Sequence, residues 1–273
     1  MSFVDNQYNN PLVAGGFQAL GTLLGREKAC LSDSMVRQFT QKLGSIPNPT
    51  AVIIGGGTGW EILTLSKLGV KEIGFFEPAD AMRARAETLV LEHGIQGVRF
   101  FGADNLQSLS DQFGGRANWV QSCHVLPALD TQEKLLEHFV LFEKFLRRGG
   151  HGCAFTNDPE HQFYPHETYR CSFLDPRPNT SASDGMKILA TILDVTIGGS
   201  AFTDPTTGQQ HTVGGQHLEV EDRFWSSATI IGAMREAGLQ VGDRLAIYLR
   251  EADQKIARSN KFNPYTGFTL TKT

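Results

Sequence analysis

The chain has 273 residues, 40 % of them hydrophobic and 20 % charged, with a formal net charge of −4 at pH 7. That length buries one α/β core with residues left for additions, and the composition excludes disorder and low complexity. The mildly acidic balance argues against a nucleic-acid partner, which selects a basic face or stripe, and favours a small molecule.

Residues 1–48 form an expected N-terminal helical cap. The stretch Tyr8 to Gly25 is apolar and glycine-rich (Leu12, Val13, Phe17, Leu20, Leu23, Leu24), suited to covering a crevice or packing against a second copy of the chain. A helix is predicted from Ser32 to Lys42, with Ser32 or Asp33 as N-cap and Met35, Phe39 and Leu43 at helical spacing. Pro47-Asn-Pro49 ends it. Residues 49–273 then form the main domain. Ala51 to Ile54 is wholly apolar, as a central parallel strand must be when both faces are covered. A helix Trp60–Leu68, a strand Glu72–Phe76, a helix Ala79–His93 and a strand Val98–Phe101 follow. Next come a strand Trp119–Cys123, a helix Thr131–Leu146 and a strand Gly152–Thr156. Strict alternation at this spacing predicts a doubly wound, mostly parallel, Rossmann-like α/β sheet.

The rhythm stops after Thr156. Residues 157–222 are too long for a plain loop and carry His161, Phe163, Tyr164, His166 and Tyr169, then a hairpin of Ala201–Thr203 and Gln210–Val213. This insertion after strand five is expected to act as a substrate lid. A helix Phe224–Ala237 and strands Asp243–Leu249 and Gly267–Thr271 complete a seven-stranded sheet.

Three polar elements fall at successive strand ends: Gly55-Gly-Gly57-Thr-Gly59, Glu77 and Asp104. A glycine-rich turn lets backbone approach a ligand and aims helix amides at it. Glu77 is placed to accept a ribose diol, and Asp104 the exocyclic amine of adenine, with Ala103 or Asn105 offering a backbone amide. A dinucleotide loop is expected to read G-x-G-x-x-G, but the third glycine comes one place early and Trp60 fills its slot, which favours a smaller ligand without a pyrophosphate. An NAD-dependent oxidoreductase is the competing reading. A non-catalytic partner subunit is a third.

Val52-Ile-Ile-Gly-Gly-Gly-Thr-Gly59, Gly74-Phe-Phe-Glu-Pro78, Phe101-Gly-Ala-Asp-Asn105 and Arg147-Arg-Gly-Gly150 together resemble the class I S-adenosylmethionine-dependent methyltransferase family. The resemblance covers residues 50–156 and, more loosely, 223–273. It implies that Gly55, Gly57 and Gly59 shape the loop around the methionine moiety, that Glu77 binds ribose, and that Asp104 and Asn105 lie at adenine. Ser122 to His124 would lie beneath the methionine tail. Two positions depart from the family: Ile53 stands where an acid commonly precedes the loop, and Asn118 where an acid often opens strand four. The implied cofactor is S-adenosyl-L-methionine. The implied reaction is methyl transfer to O, N or C of a small aromatic or terpenoid-like metabolite, with methylation-triggered cyclisation or another non-methylating use of the fold as the alternative.

A base is needed if the acceptor is an amine or phenol. His124, just after strand four, and His161, in the insertion, are the candidates, because histidine titrates nearest neutrality. No metal site is expected, since Ser122 or Cys123 would stand at a position where oxygen-ligated ions want a carboxylate. Cys30, Cys123, Cys153 and Cys171 form no C-x-x-C pair and are expected as buried thiols. Met1 to Asp5 lack a signal-peptide start and no 18-residue apolar span occurs, so a cytoplasmic protein with no membrane partner is expected, possible self-association being carried by the apolar N-terminal segment.

Overall fold

Strand β1, Thr50–Ile54, is buried along its apolar run, and its alternation sorts the core into two layers. Ala51 and Ile53 face one cluster with Leu31, Met35, Phe39, Ile62, Leu65 and Trp119, whereas Val52 and Ile54 face another with Leu109, Phe113, Phe139, Phe142 and Met234. Helices therefore cover both faces of one sheet, the arrangement that a wholly apolar parallel strand requires. The computed structural model describes residues 6–10, 12–17, 25–159, 169–173, 182–197, 200–203, 210–213, 216–247 and 265–273.

After β1 come α2 (Trp60–Lys67), β2 (Glu72–Phe76), α3 (Asp80–Glu92), β3 (Val98–Phe101), α4 (Leu106–Phe113) and β4 (Ala117–Cys123). Helix α5 (Gln132–Phe145) and β5 (Leu146–Asn157) follow, and α6 (Ser227–Glu236), β11 (Gln240–Ile247) and β12 (Tyr265–Thr271) close the sheet; α1 (Gly25–Leu43) precedes it. The seven strands lie in the order β11-β12-β5-β4-β1-β2-β3. Five neighbouring strands pair in parallel, and β12 runs antiparallel to both β5 and β11. From β1 the chain moves outward to β2 and β3, then returns to β4 on the other side. That reversal opens a crevice at the carboxyl ends of β1 and β4, the place where open α/β sheets hold ligands.

The predicted elements recur with shifted ends. Helix α1 begins at Gly25, so Ser32 and Asp33 sit inside it rather than capping it. Ser32 Oγ instead shares a 3.1 Å hydrogen bond with Thr64 Oγ1 of α2, a polar contact between helices that a capping rule misreads. Helix α6 starts at Ser227, because Ser226 caps it by accepting from Thr229 N, while Phe224 and Trp225 are buried in extended chain. Helix α4 was not foreseen: its short sequence Leu106–Phe113 buries Leu109 and Phe113 in the core, with Leu106 partly buried against it.

The insertion carries more structure than the one predicted hairpin. That hairpin is present as β8 (Ser200–Thr203) and β9 (Gln210–Val213), paired antiparallel. The insertion also forms a three-stranded antiparallel sheet of β6 (Tyr169–Phe173), β7 (Lys187–Ile197) and β10 (Gln216–Arg223), in the order β10-β7-β6. Strand β10 runs alongside the 3-10 turn Leu126–Ala128 that follows β4, so the added sheet stands next to the crevice. At the opposite rim, residues 6–10 and 12–17 pack on the start of α3: Asp80 N donates to Asn9 Oδ1 at 2.8 Å, and Tyr8, Ala14 and Phe17 cluster with Ala79 and Met82. Among the described residues no helix is long and apolar enough to cross a membrane.

Candidate functional site

The loop from β1 to α2 holds three glycines with positive φ: +67° at Gly55, +54° at Gly57 and +87° at Gly59. Side chains disfavour that region. What surrounds each glycine differs. A Cβ on Gly55 would come 2.5 Å from Val125, and one on Gly59 would come 2.7 Å from Ala86 of α3. A Cβ on Gly57 would meet nothing within 4 Å. Gly55 and Gly59 therefore fit the loop against the protein, whereas Gly57 faces open space on the crevice side. The close approach of α2 to α3 is made at Gly59, and Trp60 is simply the first, half-buried residue of α2.

Glu77, at the end of β2, is the centre of this arrangement. Its Oε2 accepts from Gly57 N at 2.7 Å and its Oε1 from Ala79 N at 2.9 Å, with the residue only 6 % exposed. The carboxylate so fixes the glycine that faces the crevice. Each oxygen keeps a further lone pair for a ligand hydroxyl. Burial pushes the Glu77 carboxyl up to about 7, against hydrogen bonds from Ala79 and Gly57 and the charge of Arg83, which pull it down.

Arg83 was not singled out from sequence. Its Nη1 donates to the Glu77 carbonyl at 2.9 Å and its Nη2 to Asp80 Oδ1 at 2.6 Å. A Cβ on Gly102 would come 2.6 Å from Arg83 Nη1 and 2.9 Å from Asp104 Oδ1, so Gly102 lets guanidinium and carboxylate crowd the end of β3. Asp104 is exposed in the turn Ala103–Asn105, one strand over from Glu77. Asn105 uses Oδ1 to accept from Gly102 N at 2.6 Å and its own N–H to reach Gly102 O at 3.3 Å, so it shapes the turn that presents Asp104.

On the β4 side the predicted residues separate. Ser122 is fully buried and its Oγ hydrogen-bonds His138 Nε2 of α5 at 3.0 Å, which turns its side chain into the helical layer. His138 is held neutral: burial lowers its pKa to about 3. His124 is exposed at the crevice edge with φ +58°, an uncommon backbone state for a residue with a side chain. Its ring stands edge-on to Tyr265 of β12 at 5.2 Å between centroids. His161 lies outside the described residues, as do His166, Phe163 and Tyr164.

The two departures have structural readings. Asn118 Oδ1 accepts from Thr50 N at 3.0 Å, which pins the start of β1 at the edge of the sheet away from the crevice. Beneath the loop, the acid missing at Ile53 has a buried counterpart on the first turn of α2. Glu61 Oε1 accepts from Gln121 Nε2 at 3.2 Å, and Gln121 Oε1 accepts from Trp119 Nε1 at 2.7 Å. The sequence signal was Gln121 itself, a long polar side chain in the middle of a strand buried along its whole length. Cys123 and Cys153 are buried thiols that form no disulfide, and burial raises the Cys153 thiol well above its usual range. Among the described residues, no three His, Cys, Asp or Glu side chains converge.

Searches with protein-family models and against curated proteins return no match. Solved structures do match in fold. An S-adenosylmethionine-dependent methyltransferase from Clostridium acetobutylicum superposes with a TM-score of 0.59 at 14 % identity, over 94 % of this chain and 97 % of that one. The CcbJ methyltransferase from Streptomyces caelestis gives 0.54 at 15 % identity, over 87 % and 89 %. CalS10 from Micromonospora echinaspora, an amino pentose methyltransferase involved in calicheamicin biosynthesis and solved with S-adenosylmethionine bound, gives 0.53 at 13 % identity, over 89 % and 90 %. With its strand order, its antiparallel β12 and these superpositions, the chain has the Rossmann-like fold of the S-adenosylmethionine-dependent methyltransferases.

Proposed function

We propose that the chain is an S-adenosyl-L-methionine-dependent methyltransferase acting on O, N or C of a small, aromatic or terpenoid-like metabolite. One observation carries the reading: Glu77 ties the crevice-facing Gly57 to the end of β2, so the residue suited to ribose also holds the loop suited to the methionine half. Ser122, by contrast, reads better as a packing residue than as a ligand contact, because His138 already engages its hydroxyl.

The bound cofactor supplies an electrophilic methyl on a sulfonium sulfur. The protein's part is to hold, align and dry the reactants. Glu77 accepts the ribose hydroxyls, Asp104 accepts the adenine amine, and Gly57 gives the clearance for the chain of the amino acid to pass. His124 stands at the β4 edge of the crevice, facing the acceptor side. In this reading, residues 157–222 are the lid over the acceptor and the N-terminal segment caps the ribose end. A small acceptor also fits the likeness in fold to CalS10, an amino pentose methyltransferase.

A crystal structure with S-adenosylhomocysteine tests it. The expected complex has ribose on Glu77, adenine beside Asp104 and sulfur facing the space under β10. A pyrophosphate in the groove, or ribose away from Glu77, overturns the reading.

A further inference from the structure

Strand β10 carries an acid where its neighbours are apolar. Leu218, Val220 and Asp222 alternate along its buried face, at 0 %, 5 % and 8 % exposure, while Glu219 and Glu221 take the other face. Opposite them in register stand Ala190 and Ile188 of β7, both buried, with Asp222 paired to Ile188. The strand runs beside the turn Leu126–Ala128, and that turn is tethered to the cofactor loop because Val125 packs on Gly55. Asp222 is thus a side chain more than nine-tenths buried, on an apolar surface next to the crevice.

Among the described residues its carboxylate has no hydrogen-bond or ion-pair partner, and the cation nearest in sequence is committed elsewhere. Arg223 donates to Glu221 Oε1 at 2.7 Å on the opposite face and otherwise reaches only the Asp222 carbonyl, at 3.4 Å. A buried, unpaired carboxylate is costly, and natural structures keep one where a ligand completes it. We propose that Asp222 is the acceptor-reading carboxylate of the lid, and that it selects a small apolar molecule carrying a basic amine. The inference rests on the methyl-transfer reading for its reaction, though not for its binding specificity.

A cationic amine suits this position better than a neutral hydroxyl, since it supplies both the charge and the donors that the carboxylate lacks. The chemistry balances in two steps. Asp222 takes one proton from the ammonium, which frees the nitrogen lone pair. That lone pair forms the new N–C bond as the S–C bond breaks, the S–C electron pair staying on sulfur, and the proton on Asp222 leaves to solvent. Burial raises the Asp222 carboxyl to about 7, so it can both take and release a proton near neutrality.

The test measures binding of benzylamine and benzyl alcohol at pH 8 to the full chain saturated with S-adenosylhomocysteine, using ligand-observed NMR. Benzylamine is expected to bind about tenfold or more tightly than the alcohol. Asp222→Asn should abolish that preference while leaving S-adenosylhomocysteine affinity unchanged, and Glu219→Gln, on the exposed face of the same strand, should keep it. Equal binding of the two probes by the wild type overturns the proposal, and so does an amine preference that survives Asp222→Asn. If Asp222→Asn does not fold, the wild-type comparison decides alone. Failure of the wild type to bind S-adenosylhomocysteine would instead refute methyl transfer, and the amine preference would then be measured on the chain without it.

Discussion

Replacing Glu77 by Ala separates the cost of binding from the cost of folding. The substitution leaves two backbone donors, Gly57 N and Ala79 N, without their acceptor. Orphaning a buried donor costs about 1–3 kcal/mol, toward the lower end for the part-buried Gly57. Against that stands the charge itself. Raising the carboxyl from 4.5 to about 7 corresponds to roughly 3 kcal/mol held against the ionised form in the folded chain. The folded pKa of this acid lies above the unfolded one. Its favourable contribution is therefore complete below pH 4.5 and is lost as pH rises through 7. At pH 8 the two effects offset, so thermal or urea melts of Glu77→Ala should move by less than about 2 kcal/mol. Cofactor binding has no such compensation. Loss of charged hydrogen bonds to the ribose should weaken S-adenosylhomocysteine by about 1.5–3 kcal/mol, some 10- to 150-fold. Titration calorimetry of both proteins at pH 8 measures it. Wild-type affinity should also fall about tenfold per pH unit below 7, and Glu77→Gln should flatten that profile. An unchanged Kd in Glu77→Ala would refute the placement of ribose on this carboxylate.

Four further substitutions probe the same account. Gly57→Ala places a Cβ in open space at φ +54°, so it should cost only about 1–2 kcal/mol of stability yet impair S-adenosylhomocysteine binding in the same titration. Gly56→Ala, whose Cβ would come 2.1 Å from Phe75, should do the reverse and lower the melting temperature through overpacking. His138 has a folded pKa of about 3, below its unfolded value, so its stability contribution is lost as pH falls below 6.5. Relative to His138→Gln, the wild type should lose about 2 kcal/mol between pH 7 and 5 in urea titrations. Asp158 is buried at the end of β5 and pairs with Arg244 Nη2 at 2.6 Å, the arginine side chain being 29 % exposed. Asp158→Ala should destabilise by about 1–3 kcal/mol, less than a fully buried pair because Arg244 can turn to water.

The sheet was legible because apolar runs such as Val52-Ile-Ile54 and Phe75-Phe76 can satisfy both covered faces only as central parallel strands. The placement of the loop glycines and Glu77 at neighbouring strand ends was legible for a related reason, since strand ends in this topology converge on one crevice. The boundaries were not. Ser32 and Asp33 have capping chemistry wherever they stand, and only the packing of α1 on α2 shows that Ser32 is spent on Thr64. The partner of Ser122 was not legible, because strand alternation says which residues share a face, not which neighbour waits there, and His138 is 16 positions away in sequence. Strand β10 escaped notice because Glu219 and Glu221, on its other face, come just before Asp222, so an acidic stretch hides one buried carboxylate.

Calorimetric titration of the purified chain with S-adenosylhomocysteine and, separately, with NAD bears most directly on the central claim that a nucleoside lies across the ends of β1, β2 and β3 without a pyrophosphate. The account predicts saturable one-to-one binding of S-adenosylhomocysteine and none of NAD. Binding of NAD, with no heat from S-adenosylhomocysteine, would contradict it.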